Sequence, residues 1–373
     1  MLEYLAFHPR AGGFGVELLL HFRMTFRQQV SVVIAEMFLC LLPCSSICAQ
    51  TSKAPAASSP ESQKSQAKTD VGVSPPTVQM IPVEPNVELE VLDWGGTGRP
   101  LVLLAGMGDT AHVFDTFAPK LAARYHVYGI TRRGFGVSSK PEFVTVNYNA
   151  ARLGDDVLVA IAALHLNHPI LAGHSIAGEE LSDIGFHHPE AVSGLIYLDA
   201  GYSYALYDQA HGQIMLDALK LRDLLPQIVP GKIPSDVPKS LNEIQEQLKL
   251  VEKEIAEYQA QLPPSPSAPA PRPEPPPFLY AIFSGFESFP TIHAPALAIF
   301  AVPHDFGPTD NSPSRTQMEA RDLRIAEYQV KAFETQVPSA HVVRIPHASH
   351  YVFRSNEQEV LREIDAFIST LPN

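Results

Sequence analysis

Apolar and polar positions change rhythm near Val87, and most of the chain's organisation follows from that change. Val87-Glu-Leu-Glu-Val-Leu92 alternates with the period of a half-buried strand. Pro100-Leu-Val-Leu-Leu-Ala105 is unbroken apolar sequence, as expected of a parallel strand covered on both faces. Val113 to Tyr125 has helical spacing, His126 to Thr131 reads as another buried strand, and Ala150 to Leu164 reads as a helix. Pro169 to Gly173 and Gly194 to Leu198 are further short strands, with helical spacing from Ile176 to His187 between them. A second block runs from the strand at Pro295–Ala301 through a helix to His341–Ile345, and an amphipathic helix closes the chain over Glu357–Leu371. The alternation predicts an α/β fold, a mostly parallel central sheet with helices on both faces.

Between the two blocks lies an insertion, residues 201–292. Within 241–262, Leu241, Ile244, Leu248, Val251, Ile255, Tyr258 and Leu262 recur at spacings of three and four, a heptad seam, with Ser240 and Glu243 forming a capping box at its start. The seam predicts a lid helix packed on its own domain, with a homodimer through the lid helix as the alternative. Nine of the fifteen residues in 263–277 are proline, which predicts a stiff extended tether. The α/β core is then expected over 86–200 and 293–373, as one domain carrying an inserted lid.

The region before Val87 has a different character. Arg23 and Arg27 precede an apolar stretch from Val30 to Leu42, and small residues follow up to Ala49. That order reads as a signal peptide over 1–49, with Met24 as an alternative start and an amino-terminal membrane anchor as the alternative fate. The apolar run is shorter than the ~20 residues of a spanning helix. Residues 50–85 are rich in Ser, Ala, Pro, Lys and Gln and read as a disordered spacer. All three cysteines, Cys40, Cys44 and Cys48, fall in the leader, so no disulfide framework is expected in the exported part. None follows the small residue that lipoprotein processing needs. Lys+Arg number 27 against 40 Asp+Glu, a formal charge of −13, which argues against nucleic-acid binding and against docking on an anionic membrane.

The chemistry concentrates at Gly173-His-Ser-Ile-Ala-Gly178, where a strand runs into a helix. A serine on such a sharp turn stands free, and small residues two before and two after it relieve the contact that the turn forces. Ser175 is the candidate nucleophile; an ordinary helix N-cap is the alternative. With two earlier strand–helix units before it, this stretch resembles the nucleophile elbow of the α/β-hydrolase superfamily, in its esterase-like branch with a helical lid. The resemblance covers about residues 87–371.

The resemblance implies further roles. Leu103-Leu-Ala-Gly-Met-Gly108 matches the segment that supplies one backbone N–H to an oxyanion hole, here Met107; the second is the N–H of Ile176. Ala105 stands where that family often has histidine. Arg132-Arg-Gly-Phe-Gly-Val-Ser138 resembles the family's structural Arg-Gly turn, with Arg133 expected to bond loop carbonyls. Asp305, after the strand that follows the lid, matches the place of the triad acid, and His350, before Tyr351, matches the catalytic histidine. Asp199, which ends the strand Gly194–Leu198, is the alternative acid, since 45 residues separate Asp305 from His350. His347 is an alternative base, and His174 is expected to pack under the elbow or line the pocket. Glu179 and Glu180 lie unusually near the serine and have no evident role. A serine elbow disfavours the dehalogenase and epoxide hydrolase chemistries of this fold, which use aspartate there.

The expected function is serine hydrolysis of a small-molecule carboxylic ester with a small to medium hydrophobic acyl group, by a secreted or periplasmic protein. Other chemistry on the same triad, namely C–C or amide hydrolysis or perhydrolysis, and a non-catalytic binding protein on this fold are the alternatives. No nucleotide fingerprint or metal-ligand cluster is visible in the sequence, so neither a cofactor nor a metal is expected. Tyr202, Tyr204, Tyr207, Phe278, Tyr280, Phe283 and Phe286 are candidate pocket aromatics of the lid.

Overall fold

The computed structural model describes residues 75–228, 237–261, 275–308 and 312–372. The leader and anchor readings, most of the 50–85 spacer and the tether up to residue 274 lie outside these. In chain order the strands are β1 (Thr77–Glu84), β2 (Val87–Gly95), β3 (Pro100–Leu104), β4 (His126–Ile130), β5 (Ile170–His174), β6 (Gly194–Leu198), β7 (Ala296–Ala301) and β8 (Ala340–Ile345). They form one sheet in the order β1-β2-β4-β3-β5-β6-β7-β8. The two pairings involving β2 are antiparallel and the rest are parallel. The main helices are α1 (Ala150–Ala163), α2 (Gly178–His187), α3 (Ile214–Leu224), α4 (Val237–Gln261), α5 (Pro277–Phe283), α6 (Pro313–Gln336) and α7 (Glu357–Thr370).

Every residue of β5, β6 and β7 is buried, which is why these strands read as unbroken apolar runs rather than alternating ones. One face of the sheet packs Leu101, Leu103, Ile196 and Ile299 against Phe114, Phe117, Phe353, Val360, Ile364 and Phe367, the last three from α7. Among the described residues, no helix is long and apolar enough to cross a membrane.

The structure departs from the sequence reading in several places. Thr77–Glu84 falls in the expected spacer yet forms edge strand β1; Pro82 is tolerated there because an edge strand has one unpaired side. Arg133 reaches Glu84 of this strand with an ion pair of 2.8 Å, so β1 is tied to the core. The expected helix over Val113–Tyr125 is two short turns, Ala111–Phe114 and Ala118–Leu121, interrupted before Pro119. Finally, α4 starts at Val237, three residues before the expected capping box, with Pro238 in its first turn, where the missing N–H costs nothing.

The segment from Gly201 to Pro295 connects β6 to β7 and carries α3, α4 and α5. Helix α4 packs on α3 through Ile244, Gln247, Val251 and Glu254; Gln247 Nε2 donates to the Asp217 carbonyl at 3.1 Å and to its carboxylate at 2.9 Å. Leu241 and Leu248 of the heptad remain exposed, so the buried stripe is rotated from the seam read in the sequence. The carboxyl ends of the parallel strands share one edge of the sheet. Residues that follow β3, β5, β6, β7 and β8 therefore converge there.

Candidate active site

Ser175 follows β5 directly and leads through one tight turn into α2, with φ of +55°, a left-handed backbone that a non-glycine residue adopts only under constraint. The small neighbours are sterically required. A β-carbon at Gly173 would lie 3.0 Å from the Ala177 β-carbon and 3.0 Å from Leu181 Cδ1. Beside the elbow, β3 pairs with β5 in register, Leu104 opposite Gly173. This brings the loop after β3 against the serine: a β-carbon at Gly106 would stand 3.2 Å from Ser175 Cβ and 2.8 Å from His174 Nδ1. Met107 follows Gly106 in this loop, and Ile176 follows Ser175 directly.

Ser175 Oγ lies 2.9 Å from His350 Nε2, and His350 Nδ1 lies 2.7 Å from Asp199 Oδ2. A carboxylate only accepts, so Nδ1 carries the proton, and Nε2 is then free to accept from the serine hydroxyl. The acid that meets His350 is Asp199, at the end of β6, and not the expected Asp305. After β7 it is His304 that turns inward, its Nε2 2.8 Å from Asp199 Oδ2 and its Nδ1 2.9 Å from Asp322 Oδ2. Asp305, one residue on, caps its own loop, where its carboxylate accepts from the Gly307 N–H at 2.8 Å. Its backbone N–H donates to the Ala348 carbonyl at 2.8 Å. Asp199 is 1% exposed and accepts further hydrogen bonds from the Ala301 N–H at 2.9 Å and the Tyr202 hydroxyl at 3.2 Å. Burial alone would raise its carboxyl, but the charge and hydrogen bond of His304, together with His350, hold it well below the usual carboxylate range.

The other histidines separate cleanly. His347 is exposed, with φ of +58°, and its backbone N–H bonds to Pro303. His174 packs under the elbow as expected, with Nε2 3.1 Å from the His350 carbonyl and its ring 4.7 Å from that of His350. Burial, and then His350, lower its basicity well below the ordinary histidine value, so it stays neutral. Arg133 is fully buried and forms a bidentate pair with Asp156, 2.6 Å at each bond, rather than bonding carbonyls alone; one guanidinium N–H does reach the Asn147 carbonyl at 3.3 Å.

Two aromatic residues beyond the elbow face the same space. Tyr202 has its ring 6.4 Å from His350, and Tyr204 packs 5.6 Å from Phe286, which in turn lies 5.2 Å from Phe283. The buried Tyr204 hydroxyl faces Ser175 without a hydrogen bond of normal length and angle to any described residue. Of the other expected pocket aromatics, Tyr280 is exposed, Tyr207 donates to Asp217 at 2.9 Å, and Phe278 packs edge-on against Phe135 at 5.4 Å.

On the helix that follows Ser175, Glu179 and Glu180 are both buried. Glu180 pairs with Arg132 Nε, and Arg132 Nη2 donates to the Ala105 carbonyl at 3.2 Å. Neither oxygen of Glu179 has a hydrogen-bond partner among the described residues, and burial together with Glu180 raises its carboxyl well above the ordinary value. Asp183, Glu287 and His187 bring ligand-type atoms within 4.8 Å of one another, as do Asp199, His304 and His350; in the second group those atoms are committed to one another by the hydrogen bonds above.

Residues 101–363 match the alpha/beta hydrolase family. The chain belongs to that family. A fluoroacetate dehalogenase from Burkholderia sp is 31% identical over 117 residues, which is 31% of this chain and 38% of that protein. A pimeloyl-(acyl-carrier protein) methyl ester esterase from Aeromonas hydrophila is 32% identical over 117 residues, 31% of this chain and 44% of that protein. The matched stretch therefore spans less than half the length of either relative. A bromoperoxidase from Bacillus anthracis shares the fold, with a TM-score of 0.50 at 19% identity over 79% of this chain and all of that one.

The sequence reading does not reach His304 and Asp322, and it places Tyr202 and Tyr204 only among the candidate pocket aromatics. His304 adjoins the expected acid, and both lie past the end of β7 in irregular residues, where no sequence period separates them.

Proposed function

We propose that the protein is a serine hydrolase that cleaves carboxylic esters of small to medium hydrophobic acids through an acyl-enzyme. The observation that carries this reading is the continuous hydrogen-bonded line from Ser175 through His350 to Asp199, at 2.9 and 2.7 Å, on a strained strand-to-helix turn. Ser175 attacks the ester carbonyl while His350 Nε2 takes its proton; the same proton is then given to the leaving alkoxide. Asp199 fixes the tautomer of His350 and stabilises its charged form. The backbone N–H groups of Met107 and Ile176 receive the negative charge that develops on the carbonyl oxygen. Water enters as the second nucleophile and frees Ser175.

The apolar acyl preference rests on Tyr204, Phe283 and Phe286, buried aromatic residues of the β6–β7 connection, with Tyr202 beside His350. The esterase name of one relative agrees with this reading. The basic–apolar–small order of residues 23–49 supports export of the catalytic part.

The test is a panel of p-nitrophenyl esters from acetate to decanoate. The protein is expected to turn over the shorter members, and Ser175→Ala to lower kcat by at least about a thousandfold. Turnover that survives Ser175→Ala contradicts the proposal.

A further inference from the structure

The acid Asp199 serves two imidazoles, and the reaction proposed above uses only one of them. His304 approaches the same carboxylate oxygen as His350, and the two rings stand 6.2 Å apart across it. Its other nitrogen meets Asp322 on α6 at 2.9 Å. Each ring nitrogen of His304 faces a carboxylate, which only accepts hydrogen bonds. A neutral imidazole has one N–H and satisfies one of them; the doubly protonated ring satisfies both. The side chains of His304, Asp199 and Asp322 are 6%, 1% and 8% exposed, so water does not stand in for a missing partner. Burial opposes a charge on His304, but the two carboxylates overcome it and push the group up to about 10.

Among the described residues, few other groups face this ring. From the loop after β6, the Tyr202 hydroxyl lies 3.1 Å from Nε2. From its own loop, Phe306 packs 5.8 Å away, with the Arg315 guanidinium 5.3 Å from the Phe306 ring and itself paired with Glu319 at 2.6 Å.

We infer that His304 is a positioning residue: held as an imidazolium between Asp199 and Asp322, it divides the charge of the triad acid and so limits how strongly His350 retains a proton, which extends hydrolysis to lower pH. The inference rests on the serine hydrolase reading. Its sign follows from charge counting. With His350 neutral, Asp199, His304 and Asp322 sum to one negative charge. His304→Gln keeps an N–H that can reach Asp199 but leaves two negative charges, so His350 holds its proton to higher pH and ceases to act as a base there. Asp322→Asn moves the sum the other way.

The experiment is the pH profile of kcat/KM on p-nitrophenyl butyrate for the full chain and both variants. The acid limb is expected to rise by roughly one pH unit in His304→Gln, from a unit charge removed about 6 Å away. In Asp322→Asn it is expected to fall or hold. Limbs that move in neither variant, or upward in both, overturn the inference, because a merely structural role lowers kcat without opposite displacements. If the wild type hydrolyses no ester, the hydrolase reading fails, and a ¹⁵N imidazole titration judges His304 by itself. There the result expected is a doubly protonated ring through pH 8; a ring that becomes neutral below pH 8 overturns it.

Discussion

Ser175 stands between two buried groups of acids that are handled in opposite ways. On one side, Asp199 takes hydrogen bonds from the Ala301 N–H, Tyr202, His304 and His350, and its carboxyl is held far below its ordinary value. On the other, Glu179 is equally buried, has no hydrogen-bond partner among the described residues, and is raised well above its ordinary value. Burial is the first cause in both cases; partners decide the outcome. The donors to Asp199 come from β7 and from the loops after β6, β7 and β8, elements distant in sequence that the parallel sheet brings to one edge. Glu179 sits in the first turn of its helix beside a second acid, Glu180. The first region is built to keep a charge and the second to suppress one.

This contrast is broken most severely at Asp199. Asp199→Asn is expected to lower kcat on p-nitrophenyl butyrate by roughly 10³–10⁴, because the amide no longer enforces the His350 tautomer. Glu179→Gln, at a similarly buried carboxyl, is expected to cost less than tenfold in the same assay. Next in size is the scaffold between the two groups. A β-carbon at Gly178 would fall 2.0 Å from the Ala200 carbonyl oxygen, directly after Asp199. Gly178→Ala is therefore expected to destabilise the fold by about 3 kcal/mol, read from urea unfolding.

Smaller effects sharpen the other side. Glu179→Leu removes a buried carboxyl with no hydrogen-bond partner and is expected to stabilise by about 1 kcal/mol, seen as a higher Tm, whereas Glu179→Gln leaves the polar burden in place. The smallest effect is pH-dependent. Burial raises Asp183 to about 6, against an ordinary 3.8. Below pH 4 both folded and unfolded chains bind that proton, so Asp183 costs nothing. As pH rises through about 6 the folded chain must ionise a buried group, and stability falls. Asp183→Asn is thus expected to match the wild type at pH 4 and to exceed it by about 1 kcal/mol at pH 7.5 in urea titrations. His304 acts with the same sign in a higher window: its raised value makes a contribution that is complete below about pH 6.5 and is lost as pH climbs through about 10.

Much of this was readable before any coordinates. Buried parallel strands announce themselves as unbroken apolar runs, and Gly173-His-Ser-Ile-Ala-Gly178 marks a turn that few other residues tolerate. Ser175 and His350 are found together as the sequence reading placed them. What failed is instructive. Asp305 and His304 are adjacent, and no periodicity survives in the irregular residues after β7 to decide which one faces inward. Edge strand β1 was lost because its pairing is with β2, a partner that composition does not reveal. The heptad seam of α4 recorded apolar spacing but not which neighbour the helix would meet, so the buried stripe runs through Gln247 and Glu254 while Leu241 and Leu248 stay exposed.

The most direct test compares the two candidate acids by the reactivity of the serine itself. A fluorophosphonate probe reports nucleophile activation without knowledge of the substrate, and peptide mass mapping identifies the labelled residue. Ser175 is expected to be labelled at equal rates in the wild type and in Asp305→Asn, and at least about a hundredfold more slowly in Asp199→Asn. Label on another residue, or a rate that collapses in Asp305→Asn and survives in Asp199→Asn, contradicts the line from Ser175 through His350 to Asp199.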